Sequence, residues 1–202
     1  ENLKTVEGDF LKLLENLNNI FEKRKFLFGN RPSIADIGFS GPFFRHFALD
    51  PVPLEIIRQK APYVLSWVSN LWNARVSKIN NDFEEGIPKD LEPLFREIGK
   101  VYLPYLSANV DAVKQNKTKF DFKFGNVFLK KARYSLYRVW CLKELRNRYN
   151  KLEEKEKTQV EILLKKFGCW EPLWRDKNLP LMDNQEEELP FRADRKMLGV
   201  NE

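Results

Sequence analysis

The chain has 202 residues, with 35 Lys and Arg against 29 Asp and Glu, 43% hydrophobic residues, 16 Phe, 5 Trp and 2 Cys. That length closes a core without disulfides or a structural metal, and the aromatic content excludes both general disorder and a cysteine-stapled secreted scaffold. The net charge of +6 is regional, since Lys130 to Lys177 holds 14 Lys and Arg against 7 Asp and Glu, so it gives little reason by itself to expect an anionic partner.

The opening Glu1-Asn2-Leu3-Lys4 lacks a basic start followed by an apolar run, so neither a signal peptide nor an anchor is expected. A processed product or a piece of a longer protein fits such a start. Apolar runs such as Phe26-Leu27-Phe28 and Phe43-Phe44 are far short of the roughly 20 residues that span a bilayer, and a soluble chain is expected. Cys141, Cys169 and the single His46 have no metal-ligand spacing, so no metal site is expected.

Phe10, Leu13, Leu14, Leu17, Ile20 and Phe21 fall three and four apart, which predicts an amphipathic helix ending before Phe28-Gly29-Asn30-Arg31-Pro32. Ser33 and Asp36 stand at capping-box spacing for a second helix, and Pro32 with Ile37 occupy the positions of a hydrophobic staple. This pattern accounts for Ser33 and Asp36 as cap partners rather than as nucleophile and base. The helix runs through Phe39, Phe43, Phe44 and Phe47 to a break at Leu49-Asp50-Pro51-Val52-Pro53. Leu54, Ile57, Ala61, Val64, Leu65, Val68, Leu71 and Trp72 predict a third helix, which Pro62 bends or restarts.

After Asn80-Asn81-Asp82, residues 91–106 predict one or two further helices. Phe120, Phe122 and Phe124 alternate with Asp121 and Lys123, and Gly125-Asn126 separates them from Val127-Phe128-Leu129, the pattern of a short hairpin. From Leu129 to Leu152 apolar residues again step by three or four, predicting a long helix with Arg133, Arg138, Lys143, Arg146 and Arg148 on solvated faces. Those arginines are the candidates for docking phosphate, but the interleaved Glu144, Glu153 and Glu154 point to an ordinary charged face. A last helix is expected over about 154–167, with acidic residues at its start and Gly168 beyond its end, followed by an irregular tail bearing Glu186-Glu187-Glu188.

The stretch Phe26 to Ile37, with its Leu27, Gly29, Pro32, Ser33, Ala35 and Asp36, resembles the signature of the C-terminal helical domain of glutathione transferases. Ala61-Pro62-Tyr63-Val64-Leu65-Ser66-Trp67 is similar to the motif on that domain's following helix, and the resemblance covers about residues 9–75. It implies an all-α glutathione-transferase C-terminal-like bundle over residues 1–168, with a short β-hairpin, and an extended tail over 169–202. It also implies that glutathione and the catalytic group belong to a thioredoxin-like half, whose strand and helix pattern this sequence does not show. No catalytic residue is therefore expected in this chain, and its standing as an enzyme rests on that other half.

On the resemblance, the chain is the substrate side of a glutathione S-transferase-like protein, where Phe10, Leu14, Phe43, Phe44, His46 and Phe47 line an apolar acceptor pocket. The same residues serve equally as core, and His46 as a helix-end group capping carbonyls. The partners expected are a thioredoxin-like domain or partner chain, a hydrophobic small molecule and a second copy in a homodimer, with membrane excluded and nucleic acid disfavoured. Reduced thiols suggest the cytoplasm, with the mitochondrion as the alternative. The other class of function is a non-catalytic interaction or scaffold module, anchored by Trp170, Trp174 and Phe191. Cys141, beside Arg138 and Lys143, is a candidate reactive thiol or a small buried hydrophobe.

Overall fold

Helix α1 (Leu3–Phe21) buries Leu14, Leu17, Ile20 and Phe21 on one stripe, as their spacing requires, while its first turns leave Leu3 and Val6 exposed. The computed structural model describes residues 2–79, 82–125 and 127–180, and the chain divides into two compact units, Glu1–Leu94 and Phe95–Glu202. Among the described residues no helix is long and apolar enough to cross a membrane.

In the first unit, α2 (Ile34–Pro42) starts at a complete capping box: Asp36 N–H donates to Ser33 Oγ at 3.3 Å and Ser33 N–H to Asp36 Oδ2 at 2.8 Å. The staple expected beside it has little to bury, since Ile37 is 62% exposed. Pro42 ends the regular helix by removing a backbone donor, and a wider π turn follows over Phe43–Phe47, closed by Ala48 N–H donating to the Phe43 carbonyl. Helices α3 (Pro51–Lys60) and α4 (Pro62–Trp72) are separated by Ala61, so Pro62 restarts the helix. With no capping side chain at Ala61, the Tyr63 N–H donates instead to Asn18 Oδ1 of α1 at 3.0 Å.

The Asp36 carboxylate is fully buried and gathers more than its cap. Oδ1 accepts from the Leu27 N–H at 2.9 Å and from Trp67 Nε1 at 3.0 Å, and Oδ2 from Ser33 N–H and Oγ. The loop from α1 to α2 is thereby tied to α2 and, through Trp67, to α4. Gly29 sits in that loop at φ +131°, where its backbone meets residues 82–84: Asn30 N–H donates to the Asp82 carbonyl and Glu84 N–H to the Phe28 carbonyl. A Cβ at Gly29 would lie 2.7 Å from the Asp82 carbonyl oxygen.

The unit boundary falls inside α5 (Glu92–Glu97). In the second unit a π turn (Ile98–Tyr102) leads into α6 (Leu103–Lys114), whose Leu103, Leu106 and Val110 join Val139, Leu142, Phe167, Cys169 and Leu173 in one core. Gly99 backs onto the Phe167 and Gly168 carbonyls, which a Cβ would approach to 2.8 Å. Strands β1 (Lys119–Phe124) and β2 (Val127–Arg133) pair antiparallel, with Phe120 and Phe122 packed on Tyr105 of α6. Asn126 of the expected turn lies outside the described residues, as do Asn80 and Asn81.

The helix predicted from Leu129 begins only at Leu136: α7 runs Leu136–Asn150 and residues 129–133 are strand. Their apolar spacing fits a helix, but pairing with β1 overrides it, and a bulge opposite Asp121 takes up the mismatch, with Lys131 at φ +55° donating its N–H to Asp121 Oδ1. Asn109 of α6 fixes the entry to α7 by exchanging two hydrogen bonds with the Ser135 backbone, at 2.8 and 2.9 Å. Helix α8 (Glu154–Lys166) has a capping box of Glu153 and Glu156 and ends at Gly168, φ +70°, where Cys169 N–H donates to the Leu164 carbonyl. Cys169 and Leu173 of α9 (Trp170–Trp174), placed by the sequence in an extended tail, are core residues of this unit. Glu186-Glu187-Glu188 and Phe191 lie outside the described residues.

Replacing Asp36 by Ala strands buried donors from three segments, each costing about 1–3 kcal/mol, so a loss of about 3–5 kcal/mol is expected in urea unfolding, against about 1 kcal/mol for Ser33→Ala. Equal losses would reduce Asp36 to a cap partner. Gly29→Ala is expected to lower the thermal midpoint through a loss of about 1–3 kcal/mol, from the strained φ and the backbone clash.

Candidate functional site

Three of the sequence-predicted apolar residues meet at one place in the first unit. The ring of Phe10, on α1, lies 4.9 Å from that of Phe47, which in turn lies 5.3 Å from Phe43. Phe43 continues edge-on to Trp67, and Trp67 stacks on Phe21 at 4.9 Å. Leu14 and Phe43 are core residues, each 1% exposed, whereas Phe10 and Phe47 are half-buried at the surface end of this row. Successive side chains diverge around a helical turn, so Phe44 leaves the row and meets Trp72 edge-on at 5.2 Å.

His46 also points away from the row. Its Nδ1 faces the Asp50 carboxylate at 3.7 Å, with both side chains mostly exposed, rather than a chain-end carbonyl. Its own carbonyl accepts from the Leu49 and Asp50 N–H groups and closes the turn. Leu3 and Val6 are exposed on α1, which carries Phe10, and Leu49 and Val52 are exposed just beyond the π turn that carries Phe47. Among the described residues, no group of three His, Cys, Asp or Glu is placed to hold a metal ion.

A cleft of about 290 Å³ at the C-terminal end of α1, lined by Phe21, Glu22, Lys23, Arg24, Lys25, Asn30, Ser66, Trp67 and Asn70, was not among the sequence expectations. Its members come from segments some 40 residues apart, and no local spacing connects them. Arg24 grips both oxygens of Asp90 at 2.7 and 2.9 Å and donates from Nε to the Leu27 carbonyl. This guanidinium, aided by Lys23, holds the Asp90 carboxyl below the usual carboxylate range. Lys25, Ser66 and Asn70 add polar groups to a wall that also holds Phe21 and Trp67.

Two sequence expectations in the second unit change, and the alternatives for Cys141 narrow. Arg146 lies on the buried side of α7, in step with Val139 and Leu142, and donates to the carbonyls of Leu173 at 2.8 Å and Asp176 at 2.6 Å. It satisfies the end of α9 and is no docking residue. Trp170 and Trp174 pack on Tyr149 with ring separations of 5.3 and 5.5 Å, and Trp174 lies against the core, so neither is an exposed anchor. Burial pushes the Cys141 thiol up, outweighing the hydrogen bonds from Tyr137 and Tyr102 and the nearby Arg138, all of which favour the thiolate. Arg148 pairs with Glu144 at 2.8 Å, as its spacing implies.

A family model described as Glutathione S-transferase, C-terminal domain matches residues 1–74. The matched part of the chain, α1 to α4 with the capping box and the aromatic row, is similar to that family's helical domain, and the predominantly helical architecture agrees with it. The second unit lies outside the match. Neither a curated protein nor a solved structure matches the chain.

Burial also pushes the Cys169 thiol up, and its Sγ lies 3.3 Å from the Phe95 carbonyl oxygen. Both thiols therefore stay protonated at neutral pH. Iodoacetamide is expected to alkylate Cys141 slowly at pH 7 and faster only as pH climbs beyond the ordinary thiol range, and Cys169 only after unfolding, as read by mass spectrometry. Rapid labelling of Cys141 at pH 7 would establish a reactive thiol.

Proposed function

We propose that the first unit is the acceptor-side helical domain of a glutathione-transferase-like protein, offering Phe10 and Phe47 as the reachable wall of an apolar site. The observation that carries this reading is the row of rings from Trp67 through Phe43 to Phe47 and Phe10, rigid and buried at one end and half-exposed at the other. Such a surface binds a hydrophobic molecule at little entropic cost, because its side chains are already ordered.

Among the described residues the strands form one two-stranded hairpin and the rest of the regular structure is helical. Glutathione and the group that activates its thiol are assigned to a thioredoxin-like domain or partner chain. The exposed Leu3, Val6 and Val52 favour a second reading, in which the same face docks a protein, including a second copy of this chain, without catalysis.

Titration with 8-anilinonaphthalene-1-sulfonate tests the first reading. The dye is expected to bind saturably, with several-fold weaker affinity in Phe47→Ala and Phe10→Ala and unchanged affinity in Trp170→Ala. Absence of saturable binding, or indifference to Phe47, would remove the ligand wall. Self-association on size exclusion that Val6→Asp abolishes would instead establish the docking face.

A further inference from the structure

We infer that the outward face of the β1–β2 hairpin is a binding surface for single-stranded nucleic acid, with its lysines and arginine on the phosphates and Phe128 stacking on a base. Between Lys117 and Arg133 the chain has six cationic side chains and one carboxylate, Asp121. That carboxylate is turned to the backbone, accepting the Lys131 N–H at 2.7 Å. Lys119, Lys123, Lys131 and Arg133 are exposed and have no carboxylate partner among the described residues.

The register makes this concentration costly for the fold. Lys119 stands directly opposite Arg133, and like charges so placed repel. Lys123 stands opposite Phe128, which is 37% exposed and has the Lys130 Nζ 5.5 Å from its ring centroid, so this face holds cations around an aromatic ring. Alternate residues of a strand repeat at about 6.8 Å, and a cationic strip with an interleaved aromatic surface is how single strands are held without sequence preference.

A lipid surface fits less well. Phe120 and Phe122 are packed on Tyr105, Phe124 packs on Phe122, and Val127 is buried, so the described apolar residues beside the turn face inward rather than toward a bilayer. The sequence concealed this surface because helical periodicity from Leu129 distributes Lys130, Lys131 and Arg133 around a helix, whereas the hairpin places Arg133 beside Lys119.

Fluorescence anisotropy of the full chain with a labelled 12-nucleotide oligouridylate tests the inference. Binding is expected to weaken with salt at a logarithmic slope of about −2 to −3, corresponding to three or four phosphates. Lys119→Glu with Arg133→Glu should weaken it at least tenfold. Lys60→Glu with Lys78→Glu, an equal change of net charge in the other unit, should leave it unchanged. Phe128→Ala should weaken it several-fold at an unaltered salt slope. Circular dichroism checks folding, and Lys123→Gln, which removes the charge but leaves a polar side chain, supplies a milder loss if the double reversal unfolds. No binding, equal loss in both reversal pairs, or preference for phosphatidylserine vesicles over the oligonucleotide would overturn it.

Discussion

A single buried carboxylate holds the first unit together. Asp36 accepts hydrogen bonds from the loop at Leu27, from both donors of Ser33 and from the indole of Trp67, with no exposure to solvent. A buried carboxylate without such donors would be strongly unfavourable, so the three segments are required to converge on it. Trp67 is then fixed at both its polar edge and its faces, between Phe21 and Phe43. The position of Phe43 sets the π turn, the turn sets Phe47, and Phe47 meets Phe10. The reachable end of the aromatic row thus depends on a hydrogen-bond hub some rings away.

The second unit uses the same device with different residues. Chain ends that have no partner of their own are satisfied by side chains distant in sequence: Asn109 on the Ser135 backbone, Arg146 on the Leu173 and Asp176 carbonyls. Asn18 does this for α4 in the first unit. Backbone groups buried at the ends of short helices cannot all reach water, and α4 starts at a proline with no capping side chain before it. Gly99, where the π turn meets the end of α8, is the corresponding steric condition, since only a residue without a side chain fits against two carbonyls.

These arrangements separate two chemical surfaces. The family-matched residues present an apolar, aromatic face on α1 and the π turn, suited to a hydrophobic molecule or protein. The hairpin, outside that match, presents cations with little nearby acid. Part of the positive charge expected on a solvated helix lies elsewhere: Arg146 is internal, Arg148 is paired with Glu144, and Arg133 stands on a strand opposite Lys119.

Features governed by neighbours in sequence were legible without the fold. The Ser33–Asp36 cap, the breaks at Pro51 and Pro62, the stop at Gly168 and the hairpin around Gly125 follow from local backbone sterics and local hydrogen bonds, and the structure contains them. What depended on distant segments was not legible: that Asp36 also receives Leu27 and Trp67, that Arg146 turns inward, that Trp170 and Trp174 pack on Tyr149, and that residues 129–133 pair as a strand despite helical spacing. Sequence by itself determined the helix ends marked by a cap, a proline or a glycine and the apolar stripe of α1, because those are set within a few residues. Only the tertiary structure decided which polar groups are buried and which cations share a face, because both depend on segments brought together from far along the chain.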